Sequence, residues 1–423
     1  MPGIDVVRRK LRAVVTRRRR ASARRVRASI PDQPDYWRLW LVGVMIFGVR
    51  WLEMLAVAVF AYQRTGSPFV VAALTVLRML PMALFGVVIG AAAERVERRA
   101  ALVFVLLSML LTSLALALLA GTGALAVWHL AVASLLNGIG WTSDNPVRRA
   151  MIGEVVGTER MSAAMAIDVG ANNASQIVGP ALGGALLANF GIAGAFTVSV
   201  LGYLVALAAA LRVRHRNPAS PSGSQGVIGR MIAGLMLVRR DRRLGAILVV
   251  TVIYNVFGWP FTSMVPVIGQ GSLGLGAAGV GLLASMSGVG SFFGAVAIAL
   301  VVRPPFFARL YLGAVIVYLL LVPLFALAPL PFLAGAVLLL TGLANAGFSV
   351  MQATLVFLAA PAELRSCVFG VLSVGIGIGL IGFLHVGLLA GAIGAPSAIA
   401  ATGIEGLLAL GLTRRWWRPL AGR

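Results

Sequence analysis

Five ionisable side chains lie inside otherwise apolar stretches of this 423-residue chain: Arg50, Glu53, Arg78, Asp168 and Glu405. Each costs about 2.5 kcal/mol or more at mid-bilayer, so each is a functional candidate. Arg50 and Glu53 are three residues apart and share a helical face. Glu53 is the leading proton or cation site, tuned by Arg50 or Arg78. The competing reading, slightly ahead for Arg50 with Glu53, is a permanent structural pair. Arg78 is the better candidate for an anionic group on a substrate, because a guanidinium offers bidentate donors. Asp168, Asn172 and Gln176 recur every four residues and line one face. That stripe either borders a cavity or bonds neighbouring helices, and Asp168, the second proton candidate, has pairing with Arg149 or Arg160 as its alternative. Tyr254, Asn255 and Trp259 beside Pro260, with Asn345 and Gln352, are substrate contacts further along, against the alternative of packing. Glu405 receives no role.

These residues are positioned by spans. Hydrophobic residues make up 60% of the chain and charged residues 12%, far from the balance of soluble domains. Cutting at charged and Pro/Gly-rich punctuation leaves twelve stretches near the ~20 residues that cross a bilayer as helix. They fall at about 38–62, 69–93, 100–120, 125–144, 163–188, 191–212, 244–268, 276–302, 308–328, 331–356, 367–392 and 396–413. The fifth holds Gly179-Pro180-Ala181-Leu182-Gly183-Gly184, a run that lipid tolerates only where a neighbouring helix packs closely or a cavity lies beside it. Gly279, Gly281, Gly288, Gly290 and Gly294 in the eighth predict close helix contact.

The formal charge of +23 has the pattern of topology, not of nucleic-acid binding. The arginines fall in alternate connections: Arg95, Arg98 and Arg99 after span 2, Arg148, Arg149 and Arg160 after span 4, then the residues from Arg212 to Arg243 after span 6. The opposite connections carry only Arg64, so both termini are expected in the cytoplasm of a multi-pass protein of the inner membrane. The basic leader, residues 1–36, lacks an apolar segment and reads as a solvated tail, with attachment to anionic lipid as the alternative. Cys367 is a lone cysteine, His129, His215 and His385 have no ligand spacing, and Lys10 is the only lysine. No metal, cofactor, built-in ATPase or other enzyme activity is expected.

The polar segment 213–243 divides residues 37–212 from 244–413, leaving 414–423 as a tail; part of it, 227–238, reads as a short interfacial helix. Leu135-Leu136-Asn137-Gly138-Ile139 is echoed by Leu339-Leu340-Thr341-Gly342-Leu343, and the spacing Gly179, Gly184, Gly191 by Gly382, Gly387, Gly394, as in paired bundles with a substrate site between them.

The loop Gly90-Ala91-Ala92-Ala93-Glu94-Arg95-Val96-Glu97-Arg98-Arg99 resembles the signature between the second and third helices of the major facilitator superfamily, with Glu94 where aspartate is usual and Glu97 where a second glycine is usual. Ser175-Gln176-Ile177-Val178-Gly179-Pro180-Ala181-Leu182-Gly183-Gly184 is similar to that superfamily's fifth-helix exporter signature. Asn145-Pro146-Val147-Arg148-Arg149-Ala150, followed by Glu159-Arg160-Met161-Ser162-Ala163-Ala164, resembles the subgroup of enterobactin and macrolide exporters. The resemblance runs from about Trp37 to Leu412. It implies an all-α fold of twelve transmembrane helices in two pseudo-symmetric six-helix bundles, with spans 1 and 2 beside the cavity. It also implies export of a small organic molecule, of drug or siderophore class, by alternating access with proton antiport. Gly90, Glu94, Arg95 and Arg98 would form a conformational latch, although for Arg98 a solvated loop is an equal reading. Span 4, ended at residue 144, lacks the membrane arginine of many proton-coupled members. The expected partners are a small-molecule substrate, protons and membrane lipid, with the protein a monomer. Rival readings are an importer or uniporter, and a non-transporting sensor or scaffold.

Overall fold

Backbone polar groups in hydrocarbon must bond within their own segment, which selects helix for every apolar stretch. The computed structural model describes residues 33–95, 97–157, 160–215, 227–361 and 364–421. Residues 1–32 of the basic leader lie outside them. The first set of helices is α1 (Pro34–Thr65), α2 (Pro68–Arg95), α3 (Arg98–Gly121), α4 (Val127–Val156) and α5 (Met161–Leu211). A linking helix, α6 (Val227–Arg240), leads to α7 (Arg242–Ser272), α8 (Ala277–Val301), α9 (Phe307–Ala326) and α10 (Pro331–Ala359). The chain ends with α11 (Arg365–Gly377), α12 (Gly379–Ile393), α13 (Ala395–Leu412) and α14 (Arg414–Ala421).

Nine helical stretches among the described residues are long and apolar enough to cross a bilayer. One of them, in α5, does so twice. Gly191 adopts a left-handed φ of +64° inside it, and both ends of α5 return to the start of α1, where Tyr36 donates to the Ala164 carbonyl and Arg38 to that of Arg212. With α2 and α4 added, the chain makes twelve traverses. Large apolar side chains such as Leu300, Phe332 and Leu412 are at least 80% exposed, a surface that only lipid suits.

Two features depart from the sequence expectation. Helix α4 does not stop at residue 144 but continues to Val156, which places Asp144 and Arg148 inside a helix and buries both. Arg148 is therefore not a charge of the connecting loop, and the fourth span does carry a buried arginine. Helix α7 changes pitch, with a π turn at Tyr254–Gly258 and a 3₁₀ stretch at Trp259–Met264. Pro260 cannot supply a backbone N–H to a regular ladder, and such irregular backbone survives where it borders a cavity.

The glycine echo lies at matching contacts. A Cβ on Gly138 of α4 would strike the Arg78 carbonyl of α2, and one on Gly342 of α10 would strike the Ser287 carbonyl of α8. Gly179 packs on Trp51 of α1, while Gly382 packs on Val256 of α7. Gly184 crosses to Ala277 and Gly281 of α8, and Gly387 crosses to Ala72 of α2. Gly191 and Gly394 both turn with positive φ.

Among the described residues, the hydrogen bonds between the first set and the helices from α7 onward lie between mid-depth and the end far from the termini. Ser285 Oγ donates to the Ile177 carbonyl at 2.7 Å, and Gln270 Nε2 to that of Val59 at 3.4 Å; Gly271 packs against the Tyr62 hydroxyl. At the terminal end, the hydrogen bonds and ion pairs among the described residues join parts of the first set to one another, such as Arg98 to Glu154 and Arg99 to the Leu211 carbonyl, or stay within the second set. Among the described residues, the polar and glycine contacts that join the two sets thus run from mid-depth to the far end.

Candidate functional site

A cavity of about 160 Å³ lies between the two sets of helices. Trp51 and Trp141 line it from α1 and α4, and Trp259, Tyr318 and Phe383 from α7, α9 and α12. Met54 and Met79 add flexible, polarisable surface, suited to partners of varied shape. The polar wall consists of Thr75, Gln176, Thr262, Ser263 and Asn345. No charged side chain lines it among the described residues. Pro180 is also in the wall, so the glycine–proline run of α5 borders the cavity on one face while Gly179 and Gly183 pack on Trp51 and Leu52 on another.

Behind this wall, within the first set, is a buried charged layer. Glu53 is 1% exposed; its Oε1 accepts from Ser113 Oγ at 2.7 Å and its Oε2 from Asn137 Nδ2 at 3.1 Å. Arg78 lies within electrostatic reach of Glu53. Arg78 Nε and Asn137 Oδ1 are buried without hydrogen-bond partners in the protein, an unusual condition for buried polar atoms. The expected Arg50–Glu53 pair is not what forms. Arg50 Nη2 instead reaches both carboxylate oxygens of Asp144 at 3.3 Å, and its guanidinium lies 4.7 Å from the Trp141 ring centroid. The three-residue spacing put the two side chains on one face, but the extension of α4 supplied Arg50 with another acid.

Asp168 is occupied by a second ion pair. Arg148 Nη1 and Nη2 meet its carboxylate at 2.5 and 3.2 Å, and Arg149 Nε is at 3.3 Å. The alternative of pairing with Arg149 is therefore realised, with Arg148 as the main partner and Arg160 not involved. Asn172, the middle of the polar stripe, is half-buried and outside the cavity lining, whereas Gln176 lines it.

In the second set, Trp259 and Asn345 are the candidates that line the cavity. Tyr254 is buried behind it, stacked on Phe348 at 3.8 Å, and donates to Asn345 Oδ1 at 2.8 Å; Asn345 Nδ2 then donates to Ser291 Oγ at 3.2 Å. Asn255 caps the Thr251 carbonyl and Gln352 donates to the Thr251 hydroxyl at 2.7 Å. These two hold α7 to itself and to α10 and do not line the cavity. Arg50 and Arg78 are likewise buried outside its lining. Glu405 acquires a partner, His385 Nε2, at 2.7 Å across α12 and α13.

The latch candidates Gly90, Glu94 and Arg95 fall where the side chains lie outside the described residues. Arg98 is bonded to Glu154, which His215 also approaches at 3.5 Å.

Sequence reasoning missed Ser113, Asn137 and Asp144, and the cavity aromatics Trp51, Trp141, Tyr318 and Phe383. Asn137 carried a signal in the echoed motif. Asp144 adjoined the quoted Asn145–Ala150 segment but was taken as the end of a span.

A polytopic helical bundle with an aromatic cavity between two sets of helices is the architecture of a transporter. The family pattern described as transmembrane secretion effector matches residues 32–418, and the chain belongs to that family of the major facilitator superfamily. It is 23% identical over 235 residues to macrolide efflux protein A of Streptococcus pyogenes, covering 55% of this chain and 58% of that protein. Its counterpart in Enterococcus faecalis is 25% identical over 205 residues, 48% of this chain and 63% of that protein. The chain thus spans about three fifths of the length of these relatives. Among solved structures, a bacterial homolog of the human lysosomal transporter Spinster in an inward-facing, unoccupied conformation superposes with a TM-score of 0.70 at 15% identity, covering 92% of this chain and 99% of that one. A nucleoside transporter superposes at 0.71 and 11% identity, covering 90% and 100%.

Proposed function

We propose that this transporter exports an apolar or weakly polar organic molecule by alternating access, driven by proton antiport through Glu53. The observation that carries the reading is the cavity wall: aromatic rings and methionines with a few neutral hydrogen-bonding groups. Such a wall favours a drug-like amphiphile over an anionic siderophore, and macrolides are the first candidates because the curated relatives are named for macrolide efflux. With arginines concentrated at the terminal end, the positive-inside rule puts that end in the cytoplasm, the side from which an exporter takes up its cargo.

Substrate and proton can drive the cycle only by binding the two states unequally. Glu53 is suited to this role because it is buried on the helix that gives the cavity Trp51 and Met54, hydrogen-bonded to neutral Ser113 and Asn137 while Arg50 is held by Asp144. The charge balance of this layer, with Arg78 within electrostatic reach, changes when that carboxylate gains or loses its proton. In inside-out vesicles, Glu53→Gln is expected to reduce proton-gradient-driven uptake of a radiolabelled macrolide to the level seen without a gradient, while binding persists. Full gradient-driven uptake by this variant would remove Glu53 from the mechanism. Absence of macrolide uptake by the wild type would remove the cargo class.

A further inference from the structure

A second, larger space lies on the outside of the bundle. A groove of about 570 Å³ runs between α1 and the two arms of α5, within the ~300–1,000 Å³ usual for ligand sites. We propose that it binds one anionic phospholipid, with an acyl chain in the groove and the phosphate beneath the arginines of the terminal end.

Four observations lead there. The walls are apolar, with Val178, Leu182, Leu201 and Val205 each more than 40% exposed; the only hydroxyl in the lining, Ser175, already donates to the Ala171 carbonyl at 2.8 Å. The groove is a built gap. Gly179 and Gly202 pack against Trp51 and Val49, but around the Cβ position of Gly48 there is no atom within 4 Å. Its length fits one leaflet, since from Trp40 to Leu52 α1 rises about 18 Å, little more than half of the ~30 Å hydrocarbon core. Finally, it runs toward charge: Arg38 is neutralised by Asp35 at 2.7 Å and donates to the Arg212 carbonyl at 2.8 Å, while Arg212 and Arg214 are exposed where the second arm of α5 ends and supply the charge without a side-chain ion pair among the described residues. Apolar walls hold a chain without regard to its identity, while guanidinium groups select a phosphate with no balancing cation.

The site has a route to the transport cavity. Trp51 and Gln176 line the cavity, while their sequence neighbours Leu52 and Ser175 line the groove. A seated chain therefore bears on the spacing of α1 and α5 from behind.

The test uses the full-length protein purified in detergent and exposed to phosphatidylglycerol, phosphatidylcholine or inorganic phosphate, with native mass spectrometry reading the lipid retained. The wild type is expected to retain phosphatidylglycerol over phosphatidylcholine by about tenfold, and phosphate alone is expected not to compete. Gly48→Leu grows into the vacant floor and Val205→Trp blocks the groove from an exposed wall; each is expected to lower retention of phosphatidylglycerol about tenfold. Arg212→Gln is expected to abolish the headgroup preference while chain retention persists. Unchanged retention in Val205→Trp, the variant least able to disturb folding, would overturn the groove assignment. Equal retention of the two lipids by the wild type would overturn the headgroup assignment.

Discussion

Arg148 and Asp168 show how one residue's environment separates structure from transport. Both are almost fully buried, Arg148 lies 4.9 Å from the Phe47 ring centroid, and Gly43 makes room for it, since a Cβ there would be 2.5 Å from Arg148 Nη1. Breaking a buried pair strands a charge at a cost of about 3–5 kcal/mol, whereas apolar replacement of both partners is often neutral. Asp168→Asn is accordingly expected to lower the thermal midpoint markedly in detergent, and Arg148→Met with Asp168→Leu to recover most of the loss. An equal loss in the double variant would refute mutual neutralisation as the role of the pair. Glu53 differs because its direct hydrogen bonds come from a hydroxyl and an amide, so its charge is not locked by a contacting cation. Identifying Glu53 as an intramembrane acid needed only its position in an apolar run. Assigning Arg50 its partner needed the true length of α4, which the charged residues after 144 disguised.

At the scale of elements, glycines set how near the helices can approach. Gly184 and Gly281 oppose one another at the α5–α8 crossing, where even a methyl group would force the backbones apart. Gly184→Val is expected to abolish transport and to lower thermal stability by a few kcal/mol, with overpacking alone costing roughly 1–3 kcal/mol. Gly48→Ala, with open space around its Cβ, is expected to change stability by less than about 0.5 kcal/mol, as for sites away from such features. Differential scanning fluorimetry of the two variants checks both values. Apolar length and punctuation made the spans legible, and the run Gly179-Pro180-Ala181-Leu182-Gly183-Gly184 marked α5 as unusual. The aromatic cavity was not legible, because Trp51 and Trp141 sit in apolar helices just as packing residues do, and only the crossing of distant helices gives them an inner face. The pitch change in α7 was only partly hidden: Pro260 marks it, but the π turn at Tyr254–Gly258 begins ahead of that proline.

At the scale of the whole molecule, the two sets of helices meet at the far end through contacts such as Gly387 on Ala72. Because Cys367 is the only cysteine, a Cys367→Ser background can carry a designed pair. Phe69→Cys with Gly391→Cys, whose Cβ atoms would lie 3.8 Å apart across the same end, is expected to cross-link on oxidation and to stop transport, with activity returning on reduction. Continued transport by the fully cross-linked protein would show that the far end need not open there.

The turn at Gly191 adds a mechanical consequence. It joins the two arms of α5 with almost no intervening loop, so the arm crossing α8 and the arm flanking the lipid groove cannot be displaced independently at that end. A tilt that parts α5 from α8 is then passed around a stiff corner to the outer face of the bundle. Bilayer thickness and lateral pressure would consequently act as loads on the same lever that the cargo must move.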